Sequence, residues 1–453
     1  MPPRPRKSQA SALFPRSFRK TFPQAVRGRG AWIWDAGRRK YFDLAGSAAV
    51  NLIGHGVAEI SSAMVRQARQ LEFVHSSQFT TRCAEDFAAE VLAFAGPKFR
   101  GGRVYFTCGG SEAVETALKL ARQFHVERGE AQRFRVLSRK QSYHGATLGA
   151  IAVGGNPRRR DLYLPMTRRA ESFEQVNPPY CYRCRYACKD CARRYADEVA
   201  EAIAASRGQA AAFLFEPASG ATLGGVTPPR GYLERVAAIC RRAGVLLIAD
   251  EVMTGFGRTG RNFAVEHWKV APDILVCGKG IASGYAPLGA VIAQRHVVEA
   301  IARGSGAFMH GFTYNAHPLA VAAGRAVLQH MRRRKLVARA AAMGEALAEE
   351  LEALRQCASV GDVRGVGLLR GVEFVADKES KQPFDPEGNF AGRVAEAAAR
   401  RGVLVYPMQG CADGRAGDHL LLAPPAIATK KEIARAVAQL RHAIKEAETS
   451  LLR

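Results

Sequence analysis

The 453-residue sequence predicts an α/β protein, with a large domain built on a mostly parallel central sheet and a smaller α+β domain. Two observations carry that expectation. Between about residues 100 and 290, short apolar runs alternate with segments of helical periodicity, the pattern of a largely parallel sheet covered on both faces. Beyond residue 330 the texture changes to long, alanine-rich, charged helices.

In chain order, "GAWIWDAGRRKYFDLAGSAAV" reads as short strands with a turn, expected to join the C-terminal part. The runs "RVYF", "AAFLFEP", "GVLLIADEV" and "DILVCGKG" read as buried strands. Between them, "SEAVETALKLARQF" and "GYLERVAAICRRAG" space apolar residues as helices do, and the second closes on a glycine. "LVARAAAMGEALAEELEALRQ" and "KKEIARAVAQLRHAIKEAETSLL" are long helices flanking "VGDVRGVGLLRGVEFV". The expected division is a disordered basic arm over 1–20, an N-terminal segment over 21–60 that joins the small domain, a large domain over 61–330 and a small domain over 331–453.

The formal charge of +25 raises the question of nucleic acid. The excess base is scattered, heavy in the first 40 residues and again at "PRRRDLYLPMTRR" and "MRRRK", with no recognition-helix motif and no interleaved aromatics. A solvated, arginine-rich surface is expected, with no nucleic-acid partner. No apolar run approaches the roughly 20 residues a membrane helix needs, and the opening residues lack the apolar core of a secretory signal. A soluble, cytoplasmic protein is therefore expected. Ten cysteines in so long a chain are no disulfide scaffold. Cys181, Cys184, Cys188 and Cys191 form two C-x-x-C pairs, but only three residues separate the pairs, whereas zinc sites usually leave room for a loop around the ion. Reduced thiols in a loop, with no metal, are expected.

Three motifs carry chemistry. In "VYFTCGGSEAVETALKL" a strand runs through Gly109 and Gly110 into a helix beginning near Ser111, where bare amides and the positive helix end favour an anion. Asp250 ends the strand "GVLLIAD", and ligand crevices of open α/β sheets lie at the carboxyl ends of strands. Lys279, in "CGKGIASGYAPLGAV", sits at the end of the next strand in apolar, glycine-rich surroundings that disfavour its ammonium and expose a nucleophilic amine. A lysine that forms an imine, an aspartate for a ring nitrogen and a phosphate cradle together match pyridoxal phosphate.

Nearly the whole chain, from "SALFPRSFRKTFPQAVRGRGAWIWD" to "GDHLLLAPPAIATKKEI", resembles the class III aminotransferases of the pyridoxal phosphate fold type I superfamily, with the motifs in family order. The resemblance implies that Gly110 and Ser111 hold the phosphate, that Tyr143 of "SYHGAT" stacks on the pyridine ring, and that Glu216 of "FEP" and Val252 of "DEV" lie beside the ring and against its opposite face. It implies that Thr313 of "HGFTYNAHP" reaches the phosphate in a neighbouring subunit, so that active sites are shared in a homodimer or a dimer of dimers. It also implies that Arg415, in a glycine-flanked loop, swings toward a substrate carboxylate, for which its guanidinium fork is suited.

The chain reads "EPASGATLGGVTPP" where glutamate-using relatives carry Gln-Gly-Glu, which is closer to the ω-amino acid and amine group that uses pyruvate. In "GSAAVN", Ala48 falls near a position that amine-converting and biotin-pathway members give to tryptophan, implying a roomier pocket. The expected activity is a two-stage transfer of an amino group from an amine or ω-amino acid to an oxoacid, with Lys279 and Asp250 catalytic. A decarboxylase or aminomutase on the same fold stays open as an alternative, as does, more remotely, a nucleic-acid-binding regulator.

Overall fold

The computed structural model describes residues 12–167, 172–186 and 190–450. Of the basic arm expected over 1–20, residues 1–11 lie outside the described residues; Lys20 reaches Glu396 at 2.6 Å.

The N-terminal segment supplies β1 (Ala25–Arg29), β2 (Trp32–Asp35) and β3 (Lys40–Asp43). The middle of the chain supplies β4 (Arg103–Thr107), β5 (Arg135–Arg139), β6 (Phe173–Val176), β7 (Ala210–Phe215), β8 (Leu246–Asp250), β9 (Ile274–Cys277) and β10 (Gly289–Ala293). Its last part supplies β11 (Val360–Val366), β12 (Leu369–Phe374), β13 (Val403–Leu404), β14 (Tyr406–Gln409) and β15 (Asp418–Leu422).

Strands β4 to β10 form one seven-stranded sheet in the order β4-β10-β9-β8-β7-β5-β6. Only β10 runs against its neighbours, β4 and β9, so the other six strands share one direction. The turns after β4, β5, β7, β8 and β9 therefore open at the same sheet edge, where a ligand crevice forms.

Strands β7 to β10 are buried along their whole length, which is why they read as apolar runs and not as alternations. Their side chains still alternate between faces. Phe213 and Phe215 join one core with Leu247 and Leu275, whereas Ala212 and Leu214 join another with Ile248 and Val276. Each buried phenylalanine stabilises the fold by about 1.5–3 kcal/mol. The helix Gly110–Glu127 covers the second face with Ala113, Ala117, Leu120 and Phe124. The helix Tyr232–Ala243 ends where Gly244 takes φ +65°, as its glycine stop predicts.

Two smaller sheets flank this layer. In β1-β2-β3-β13, Val403 and Leu404 pair in parallel with Phe42 and Asp43, tying the N-terminal strands to the end of the chain. The antiparallel sheet β11-β12-β15-β14 shares the main core with the long helix Lys430–Thr449, whose start Thr429 and Glu432 fix with a capping box. No helix among the described residues is long and apolar enough to cross a membrane.

Candidate active site

Strand β9 is four buried apolar residues, followed by Gly278 and then Lys279. Lys279 takes φ +44°, a left-handed conformation that costs a non-glycine residue about 1–2 kcal/mol. Burial depresses the ammonium to about pKa 8, against the opposing charges of Asp250 and Glu216; Arg258 and Arg159 depress it further. The side chain keeps partial exposure because it faces an open cavity.

Asp250, the last residue of β8, is buried and doubly engaged. Its Oδ2 lies 2.7 Å from His144 Nδ1, and its Oδ1 accepts from the Val252 amide at 3.0 Å. His144 is itself buried, and its Nε2 has no hydrogen-bond partner, so one polar atom at the site stands unsatisfied. Glu216 follows β7 and accepts one hydrogen bond, from the Gly220 amide at 2.9 Å. Burial pushes its carboxyl up to about pKa 7; His144 opposes and Asp250 reinforces that rise. Arg139 holds the Glu216 carbonyl at 2.9 Å.

Across the cavity, the Gly110–Glu127 helix points its N-terminus at the same space. Ser111 Oγ accepts from the Ala146 amide at 3.0 Å, which clamps the loop after β5 onto the helix start. Gly145 sits at φ +140°, and a Cβ there would fall 2.6 Å from Ser111 Oγ; a Cβ on Gly110 would fall 2.9 Å from Val252 Cγ1. Both positions therefore need glycine for close approach.

Gly110, Ser111, Tyr143, Glu216, Asp250, Val252 and Lys279 all line one cavity of about 170 Å³. The donor set fits pyridoxal phosphate: amides at a helix N-terminus for a phosphate, a buried carboxylate for a ring nitrogen, and an amine whose neutral form is accessible near pH 8. A larger groove of about 860 Å³ lies between the helices Ala58–Gln70 and Pro318–Arg333, but charged groups there are already paired, Arg325 with Asp86 at 2.9 Å and Arg333 with Glu59 at 2.7 Å. Size alone does not identify the site.

Two expected residues stand elsewhere in the single chain. Thr313 is exposed on the loop that precedes the Pro318–Arg333 helix and does not line the cavity. Arg415 is 76% exposed and pairs with Asp161 at 2.7 Å instead of facing the cavity. Among the four clustered cysteines, Cys184 Sγ and Cys191 Sγ approach to 2.9 Å, Cys181 is exposed and Cys188 lies outside the described residues. Among the described residues no group of three ligands could hold a metal.

Sequence reasoning did not single out three features. His144 pairs with Asp250, and its only signal was its place in "SYHGAT". Ser47, Ala48 and Ala49 all take positive φ, a left-handed turn that Asp43 secures by accepting from the Ser47 amide and hydroxyl at 2.9 and 2.8 Å. Arg258, 2% exposed, donates to the carbonyls of Asn51, Ala423 and Pro424 at 3.0, 2.9 and 2.7 Å, knotting both chain ends beside the site.

A family model for class III aminotransferases matches residues 14–444. The chain is 39% identical over 422 residues to an uncharacterized aminotransferase of Bacillus subtilis, covering 92% of this chain and 93% of that one. It is 33% identical over 440 residues to an adenosylmethionine-8-amino-7-oxononanoate aminotransferase of Methanocaldococcus jannaschii, covering 93% and 92%. Among solved structures, a thermostable (S)-enantioselective ω-transaminase from Thermomicrobium roseum superposes with a TM-score of 0.89 at 35% identity, covering 97% and 96% of the two chains. A PLP-bound amine transaminase from an uncultivated Pseudomonas species superposes with a TM-score of 0.88 at 34% identity, covering 98% and 99%.

Proposed function

The chain belongs to the class III aminotransferase family, which uses pyridoxal phosphate, and from that membership we propose that it takes the amino group from an amine or ω-amino acid and delivers it to pyruvate. The observation that carries this reading is the amine of Lys279, depressed to about pKa 8 in a cavity shared with Asp250. Relatives named ω- and amine transaminases support the donor class, and "EPASGATLGGVTPP" supports pyruvate over 2-oxoglutarate.

When bound, pyridoxal phosphate supplies an aldehyde that carries nitrogen and a protonated ring that takes up the electron pair released at the substrate carbon. Lys279 Nζ would be the covalent anchor for that aldehyde, and its amine, when free, would move the proton at the amine-bearing carbon. Asp250 would hold a proton on the ring nitrogen, its carboxylate fixed by His144 and the Val252 amide. Gly110 and Ser111, which line the same cavity, would hold the phosphate, and Tyr143 and Val252 would pack against the ring. Glu216 lines the same cavity, its carboxyl raised by burial to about pKa 7. Thr313, exposed beside Tyr314, would complete the phosphate site of a second copy in a homodimer. Arg415 is free to meet a substrate carboxylate only after leaving Asp161.

A donor panel with pyruvate and with 2-oxoglutarate, read as bleaching of the bound cofactor's absorbance and as product amino acid, tests this reading. Amine-dependent bleaching with alanine as the coproduct is expected. Carbon dioxide release without a coproduct amino acid contradicts it and favours decarboxylation.

A further inference from the structure

Three arginines in a row, Arg158, Arg159 and Arg160, follow the clamped loop beside the cavity. Two of them are committed. Arg158 donates to the Arg415 carbonyl at 3.2 Å, and Arg160 donates to Gln175 Oε1 at 2.7 Å. Arg159 has a different environment: its guanidinium lies over the ring of Tyr143, 4.9 Å from the centroid, and among the described residues it makes no ion pair. Its backbone amide is pinned to Asn156 Oδ1 at 3.2 Å, so the side chain departs from a fixed point.

Tyr143 lines the cavity, and the charge of Arg159 is one of those felt at Lys279. A cation stacked on a cavity-lining aromatic, with its hydrogen-bonding edge uncommitted, is arranged to accept a planar anion. Arg415 is arranged otherwise. Its guanidinium is paired with Asp161, and its loop is folded on itself by Asp413, which accepts from the amides of Arg415 and Ala416 at 2.8 and 2.7 Å. To serve a substrate it must first give up an ion pair.

We propose that Arg159, stacked on the cavity-lining Tyr143, receives the carboxylate of ω-amino acid donors, ahead of Arg415. The inference rests on the transaminase reading and deepens it, because it separates two donor classes. An ω-amino acid presents its amine to Lys279 while its far carboxylate meets the Arg159 fork in a bidentate contact. A plain amine has nothing to offer that fork.

The test uses full-length holoenzyme with Arg159→Gln, Arg159→Lys and Arg415→Ala. Arg159 is exposed, so these changes leave the core intact. In Arg159→Gln, KM for 4-aminobutanoate rises about tenfold or more while KM for 1-phenylethylamine stays within about twofold, and Arg159→Lys recovers part of the loss. Calorimetric titration with glutarate, a dicarboxylate that carries no amine, weakens in parallel. Equal KM losses for both donors in Arg159→Gln, or a selective loss confined to Arg415→Ala, overturns the proposal. A wild-type protein inert toward every amine contradicts the transaminase reading, and the glutarate titration still judges Arg159 by itself: unchanged affinity in Arg159→Gln overturns it.

Discussion

Two buried carboxylates in this molecule meet opposite fates. Glu373, on β12, is fully buried and accepts from Arg183 Nε at 2.6 Å, from Arg364 Nη1 at 2.7 Å and from the Tyr180 hydroxyl. Burial pushes its carboxyl up, but the two guanidinium groups outweigh burial and hold it below the usual range. Glu216, buried beside the cavity, has a single amide donor to its carboxylate, and burial prevails, raising it to about 7. Lys279 stands with Glu216: largely desolvated, undercompensated, and brought to about 8. Saturated partners produce a permanently charged, inert knot that ties β11 and β12 to the segment 180–183. Scarce partners leave groups that change protonation near neutral pH, which is what proton transfer requires.

The largest expected effect comes from breaking the undercompensated side. Lys279→Ala should lower the half-reaction with any donor by roughly 10³-fold or more, since the proposed anchor and proton carrier would be lost together, while thermal stability holds or rises because a strained, desolvated amine is removed. A variant that keeps more than a tenth of the activity would break the comparison from that side. Next comes the saturated side. Glu373→Gln leaves the half-buried guanidinium of Arg183 without its carboxylate and Arg364 with Asp362 alone, and should cost about 3 kcal/mol in a denaturant titration, with activity per folded molecule unchanged.

A pH series sharpens the contrast. With its folded pKa lowered to about 8 from 10.5, Lys279 binds fewer protons in the folded protein than in the unfolded chain between those values. Its contribution to apoprotein stability therefore rises with pH across that window, and its penalty is full below about 8. Covalent capture of the cofactor aldehyde by apoprotein should gain rate with a midpoint near pH 8; a midpoint near that of an ordinary lysine contradicts the burial argument. The smallest effect belongs to the surface. Asp161→Asn frees Arg415 from an exposed pair and should change stability by less than about 1 kcal/mol.

The segments legible in the sequence were those whose cause is local. The runs of β7, β8 and β9 are apolar because both sheet faces are covered, and Asp250 and Lys279 stand out because each is the first charge after such a run. Arg258 stayed invisible because its partners are backbone carbonyls as far away as Pro424, brought near only by the fold. The left-handed turn over Ser47, Ala48 and Ala49 carries no glycine signal after Gly46; the Asp43 carboxylate and the Arg258 guanidinium impose it from outside. Arg415 was legible as a loop arginine, but its pairing with Asp161 was not, since that contact spans 254 residues. Arg159 was hidden among neighbours of the same type, and only the commitments of Arg158 and Arg160 set it apart.

The central claim is that the amine of Lys279 is the covalent seat of the cofactor. Borohydride reduction of holoenzyme followed by peptide mass mapping tests it most directly. The reduced cofactor is expected on the peptide carrying Lys279 and on no other; cofactor mass on a different lysine, with the Lys279 peptide unmodified, would contradict that assignment.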